Sequence, residues 1–282
     1  MNWADLTEPY GFAFFRNGVY VATMAGALCG LVGCYVVLRN MSYIGHGLSH
    51  AIFGGYAAAG LIGVNLFLGA GAWGVATALA IGGFVRRRPS GSDAASGVVT
   101  TASFALGIAL VERYGSPDRS ADALLFGNVL GVRQSDVWIV AGVSLLAVVF
   151  VAIGYRPLLF TTFDAEVAQA TGVNTTLVDT LLMVVLAATV LATMNVMGVT
   201  LLAATLVVPA VVARMLTDSF AKMLAFATVI GGVAGFGGMN LSYHHDLPSG
   251  STIVLVGTAF FLLAYVGGGR LRRRAGTVAH AH

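Results

Sequence analysis

The chain reads as an all-α, polytopic integral membrane bundle with about nine transmembrane helices, and three observations predict it. Hydrophobic residues fill 57% of the 282 positions and charged residues only 10%, against roughly 25% charged in a soluble domain. Mean hydropathy is +0.86. Apolar blocks of the ~20 residues that a bilayer core requires recur along nearly the whole sequence, with no polar stretch long enough to fold as a separate soluble unit. Glycine occupies 37 positions, about twice its usual ~7% share, and small residues let membrane helices approach closely.

The blocks predict spans near 18–38, 43–63, 66–85, 97–113, 136–155, 176–196, 198–214, 222–241 and 251–269, with eight or ten as the neighbouring counts. Two of them, 43–63 and 198–214, are glycine-rich and carry polar residues or Pro209, the composition of a broken or incompletely spanning helix. Residues 1–17 form an extracytoplasmic, interfacial segment in which Trp3, Tyr10, Phe12, Phe14 and Phe15 make an aromatic anchor. That segment is too polar for a cleaved signal peptide. Residues 18–269 make one transmembrane domain, and 270–282 form a basic tail.

Orientation follows from the cations, because Lys and Arg are retained on the cytoplasmic side. With the C-terminus inside, Arg39, Arg86, Arg87, Arg88, Arg156, Arg214, Lys222, Arg270, Arg272, Arg273 and Arg274 fall in the cytoplasm and only Arg16, Arg113, Arg119 and Arg133 outside. Nine crossings then put the N-terminus outside. On that face, Tyr114–Asp136 contains Pro117 and an apolar run, Ala123–Leu130, that predicts a short helix against the mouth of the bundle. On the inner face, residues 156–175 contain "FDAEVAQATGVN", a short helical pattern with Asp164 and Glu166 at its start and Gly172 as its stop.

Several chemistries are excluded. The sequence has no phosphate-binding G-x-x-x-x-G-K-[ST] loop, no H-E-x-x-H pair, no C-x-x-C pattern and no G-x-S-x-G elbow. It is read as a transport protein and not an enzyme; if ATP drives it, another subunit hydrolyses the ATP. The formal charge of +3 is not gathered on one basic surface, which argues against nucleic acid. Cys29 and Cys34 lie five residues apart in one apolar block and turn to different helix faces, as small buried residues without a disulfide or metal role. No intrinsic cofactor is implied.

The informative cluster is "LRNMSYIGHGLSHAIFGG", residues 38–55. His46 and His50 stand four apart, so a helix projects both imidazoles from one face. Ionisable groups at membrane depth are expensive and face a polar cavity or pathway, and neutral imidazole suits zinc and other borderline divalent ions. The pair either lines a metal or proton route or satisfies neighbouring carbonyls near the inner headgroups. Two ligands do not close a site, so other helices, water or a symmetry-related copy must complete it. Outside, "SYHHDLPSG" joins His244, His245 and Asp246 in one loop; these are either an ion-capture group or a solvated turn shaped by Pro248 and Gly250. His280 and His282 sit in a tail too short to hold an ion firmly.

In order and spacing, "VVLRNMSYIGHGLSHAIFGG", "TTASFALGIAL", "LLFGNVLGV", "TTFDAEVAQATG", "VMGVTLLAATLVVPAVVARML" and "DLPSGSTIVLV" resemble the permease subunits of bacterial manganese, zinc and iron uptake ABC transporters, over Tyr10 to Arg274. The resemblance implies an ABC importer permease in the bacterial cytoplasmic membrane, working as a homodimer with two ATP-binding cassette ATPase subunits and an extracytoplasmic solute-binding protein that delivers the ion. It also implies a metal site in which an acidic residue stands four positions before a histidine. Here the histidine is His50 and the acidic position is His46, a departure that replaces a hard anionic ligand with a borderline nitrogen. Zinc is therefore expected over manganese or iron, with binding that weakens on acidification. The family's ATPase-coupling segment maps onto Phe163, Asp164, Glu166, Ala168 and Gly172, and its outer turn onto Asp246, Leu247 and Pro248. Two other readings stay open: a stand-alone secondary transporter or channel for metal or protons, and a permease of the same architecture for a metal chelate.

Overall fold

In lipid there is no water to satisfy a bare backbone, so each apolar block closes its own N–H and C=O groups in a helix. The computed structural model describes residues 8–87, 92–114, 125, 127 and 131–279. A 3-10 turn at Glu8–Gly11 leads into α1 (Ala13–Leu38), α2 (Ser42–Leu61), α3 (Leu66–Arg87), α4 (Ser92–Tyr114) and α5 (Gln134–Ile153). Two short helices follow, α6 (Tyr155–Phe163) and α7 (Ala165–Ala170), and then α8 (Thr175–Met197), α9 (Leu202–Leu216), α10 (Phe220–His244) and α11 (Ser249–Ala279). Among the described residues, nine long helices stand where nine spans were expected. Trp3, Arg88, Pro117, Arg119, His280, His282 and most of the expected Ala123–Leu130 helix lie outside the described residues.

Among the described residues, five helices are by length and composition long and apolar enough to cross a bilayer: α1, α5, α8, α10 and α11. Three more carry shorter apolar stretches among the described residues, at Phe67–Gly83, Gly97–Leu110 and Leu202–Leu216. α2, bearing both intramembrane histidines, belongs to neither group, because Gly, Ser and His dilute its hydropathy. It nonetheless runs unbroken from Ser42 to Leu61. The other doubtful span is shorter than expected: α9 begins at Leu202, after a turn in which Gly198 takes φ +77° and Thr200 bonds the carbonyl of Leu125 through both its N–H and its hydroxyl. Pro209 sits inside α9.

The N-terminal segment departs from the expected anchor. Helix α1 starts at Ala13 and not near residue 18, and Phe15 is fully buried in the bundle. Tyr10 explains the difference: its hydroxyl donates to Asn240 Oδ1 at 2.8 Å, and its ring meets Phe15 edge-on at 5.1 Å. The segment thus docks onto the N-terminal end of α1 and the C-terminal end of α10. On the inner side, the single short helix expected within 156–175 is a pair, because Tyr155–Phe163 is also helical.

Apolar helices gain little by leaving lipid for one another, so close backbone approach and interhelical hydrogen bonds hold a membrane bundle together. α1 is its spine, with 67% of its central stretch buried. Its face Gly26, Gly30 and Gly33 lies against Gly231, Ala227 and Leu206, where a Cβ on any of the three glycines would strike a backbone carbonyl of α10 or α9. α2 is clamped the same way: Gly47 and Gly54 pack on Thr100, Ser103 and Gly107 of α4, and Gly55 packs on Trp73 of α3. Trp73 Nε1 donates to Ser103 Oγ at 2.9 Å, and Ser103 donates to the Ala51 carbonyl at 3.2 Å.

Gly231→Val should destabilise the chain, since its Cβ meets the Gly26 carbonyl and overpacking costs about 1–3 kcal/mol. Gly142→Ala, where nothing lies within 4 Å, should not. Thermal unfolding of the two purified variants in detergent checks the contrast.

Candidate metal site

The site begins at the corner between α1 and α2. Arg39 caps α1, Asn40 takes φ +55°, and the Met41 N–H donates to the Val36 carbonyl at 2.8 Å. From Ser42 the helix turns His46 and His50 to the face that packs against neither α3 nor the backbone of α4. Gly45 lies near the side chains of Leu206 and Val36, and Gly47 lies on Thr100.

His46 is exposed and His50 half-buried. Their Nε2 atoms are 3.1 Å apart, with ring planes at 88°. Phe104 of α4 lies 4.4 Å from the His50 ring and 5.4 Å from Phe53, walling that side of the imidazole. His50 Nδ1 is buried without a hydrogen-bond partner. A buried N–H without an acceptor is costly, so the favoured tautomer puts the proton on Nε2, from which His50 donates to His46.

The same convergence suits a cation. With metal–nitrogen bonds of about 2.0–2.1 Å, two nitrogens 3.1 Å apart subtend roughly 100° at a shared ion, between octahedral and tetrahedral angles. To offer both Nε2 lone pairs to one ion, His50 must move its proton to Nδ1 and the pair must give up its mutual hydrogen bond. It does not close a site, because among the described residues no group of three or more His, Cys, Asp or Glu side chains is gathered to hold an ion.

The outer residues are arranged differently. His244 ends α10, and its Nδ1 bonds the Asn240 carbonyl at 2.8 Å. His245 is exposed and caps that helix through its backbone; Asp246 is exposed at φ +51°. The turn is closed by Leu247 N–H to the Ser242 carbonyl and by Ser242 Oγ to the Leu247 carbonyl.

The inner segment is an exposed helical corner. Asp164 caps α7 by accepting the Val167 N–H at 2.9 Å, and Glu166 sits in the first turn, where the helix dipole favours an anion. Ala168 is fully buried beneath it. Gly172 takes φ +84° and ends the corner, with the Val173 N–H returning to the Ala168 carbonyl. Phe163 is 61% exposed, and Phe160 and Val167 extend the apolar surface. Sequence reasoning missed Val167 and Phe104. Helical spacing four after Phe163 was a signal for the first; the second is an aromatic among small residues, and its contact with His50 is tertiary.

Three comparisons bear on these features. The family model described as the ABC 3 transport family matches residues 11–268. The manganese transport system membrane protein MntC of Halalkalibacterium halodurans is 36% identical over 90% of this chain and 87% of its own length. A probable iron transport system membrane protein of Haemophilus influenzae is 33% identical over 92% and 95%. Among solved structures, PsaBC from Streptococcus pneumoniae in complex with Fab superposes with a TM-score of 0.85 at 32% identity, covering 93% of this chain and 95% of that one.

Removing either imidazole from the 3.1 Å pair should weaken zinc binding to the purified chain by more than the ~10–100-fold typical of losing an outer partner of a ligand. Phe104→Leu, which spares both nitrogens, should fall within that range. Calorimetric titration of His46→Ala, His50→Ala and Phe104→Leu measures the order.

Proposed function

The chain belongs to the ABC 3 transport family, as a transport permease and not an enzyme, and from that premise we propose that it is the membrane subunit of an ATP-driven importer of divalent transition-metal ions. An extracytoplasmic binding protein releases the ion to it, and the ion passes the His46–His50 face during alternating access. The observation that carries this reading is the convergence of two Nε2 atoms at 3.1 Å on a helix at membrane depth. ATP is hydrolysed by two partner subunits docked on the α6–α7 corner at Phe163, Asp164, Glu166, Ala168 and Gly172, whose exposed apolar and acidic groups suit a protein surface.

The incomplete donor set and the exposed His46 support a second permease copy beside the first, so that the pathway runs near the axis between them. The excess of cationic residues near the inner ends of the spans favours a cytoplasmic C-terminus in a bacterial inner membrane. His244, His245 and Asp246 lie at the outer mouth, where weak electrostatic capture of an arriving cation is their part.

The choice of ion is where two arguments part. Relatives are named for manganese and iron, whereas a pair of imidazoles without a carboxylate favours zinc by ligand softness. We take zinc as the preferred cargo on the donor set. Transport by proteoliposomes holding this polypeptide alone would overturn the ATP-driven reading and favour a secondary transporter or channel.

In the reconstituted assembly, zinc uptake should exceed manganese uptake at equal free-ion concentrations, and a manganese preference would remove zinc while leaving the importer intact. His46→Asp should move the zinc-to-manganese ratio toward manganese by on the order of ten-fold, about 1.4 kcal/mol. Because protons and the cation compete for the same nitrogen lone pairs, uptake at subsaturating ion should fall as the outer medium is acidified; uptake that holds or rises would argue against imidazole ligation.

A further inference from the structure

Arg39 ends α1, and its side chain is only 10% exposed. Its guanidinium is bound along its whole fork. Nη1 pairs with Asp179 Oδ1 at 2.5 Å, Nε donates to Thr162 Oγ1 at 3.0 Å, and Nη2 donates to Thr161 Oγ1 at 2.6 Å. The two threonines belong to α6 and Asp179 to α8, so one side chain joins three helices near the inner face of the bundle. α6 runs directly into Asp164 and α7.

On its other side, Arg39 is the first residue of the corner that leads to the histidines. The corner is bonded into both helices, by Met41 N–H to the Val36 carbonyl and by Gly45 N–H to the Met41 carbonyl at 3.1 Å. His46 follows about one turn into α2. A second contact runs in parallel: the Phe220 ring touches Phe163 at 5.8 Å, Tyr155 at 5.9 Å and the buried Tyr35 at 5.5 Å. Tyr35 lies one turn before Arg39 on α1.

A planar fork held by three acceptors cannot swing away without leaving a cation partly buried and unpaired, which is strongly penalised. Displacing α6 alone strips the fork of its two threonine acceptors and leaves it on Asp179 of α8, so the joint resists that movement. We propose that Arg39 is a positioning residue that transmits displacement of the α6–α7 corner to the turn between α1 and α2, and through it sets the placement of the His46–His50 face. Phe220 steadies the same joint without replacing it. The proposal rests on the ATP-driven reading above for its purpose, but the mechanical link itself is testable without any transported ion.

The experiment uses the full chain with its ATPase partner in proteoliposomes, with zinc and manganese as probes. Arg39→Gln should leave ATP hydrolysis without metal within about two-fold of wild type, leave zinc binding by the pair within about two-fold, and lower uptake per ATP at least ten-fold. Arg39→Lys, which keeps the charge toward Asp179 but loses the fork, should fall between, and Asp179→Asn should follow Arg39→Gln. Uptake and hydrolysis falling in proportion, or Arg39→Lys matching wild type, would overturn the proposal. Hydrogen exchange of residues 40–50 in the permease alone reads the link separately: Arg39→Gln should speed it at least ten-fold. Unchanged exchange sinks the link even if uptake falls, whereas accelerated exchange with no ATP-dependent uptake by wild type would sink the importer reading and leave the link standing.

Discussion

The contact between Gly26, Gly30 and Gly33 of α1 and the backbones of α10 and α9 is the constraint from which the arrangement of the bundle follows. Between lipid and protein there is no large solvent-driven gain in burying a leucine, so backbones must come close enough for dispersion contacts to accumulate. Only glycine leaves room for a carbonyl at those positions. With α1 seated in this way, its inner end at Arg39 and the start of α2 have a defined place, and α2 enters the slot between α3 and α4.

The same device on α2 decides where the chemistry stands. Gly47 and Gly54 take up the side toward α4, and Gly55 takes up the side toward Trp73. What remains is the face of His46 and His50, and on it each imidazole finds the other. Several threonines in the spans are satisfied close at hand: the hydroxyls of Thr189, Thr193 and Thr228 return to carbonyls four residues earlier. The histidine pair is different because its mutual bond occupies the very atoms that a cation would use.

Polar contacts at the inner end have another character. The cluster of Arg39, Asp179, Thr161 and Thr162 joins helices that no short-range signal connects, with 140 residues between the ion-pair partners. It places an inflexible joint where the exposed α6–α7 corner meets the spine of the bundle. At the opposite end of the bundle Tyr10, Asn240 and Phe15 tie the N-terminal segment down through one hydrogen bond and ring contacts.

By itself the sequence determined that the chain lives in a membrane, roughly where it crosses, and that two imidazoles share a helix face, because hydropathy and helical period are local properties read one segment at a time. The family was legible for the same reason, in the order of short motifs. The tertiary structure decided the rest. That Phe15 is core and not an interfacial ring depends on Tyr10 reaching Asn240, 230 residues away; the start of α9 depends on Thr200 meeting Leu125; and α6 is a helix held under Arg39, although its sequence carries little periodicity. Phe104 walls His50 because glycines bring α4 against α2. None of these partnerships leaves a trace in local pattern, since each is set by the close approach of backbones far apart in the chain.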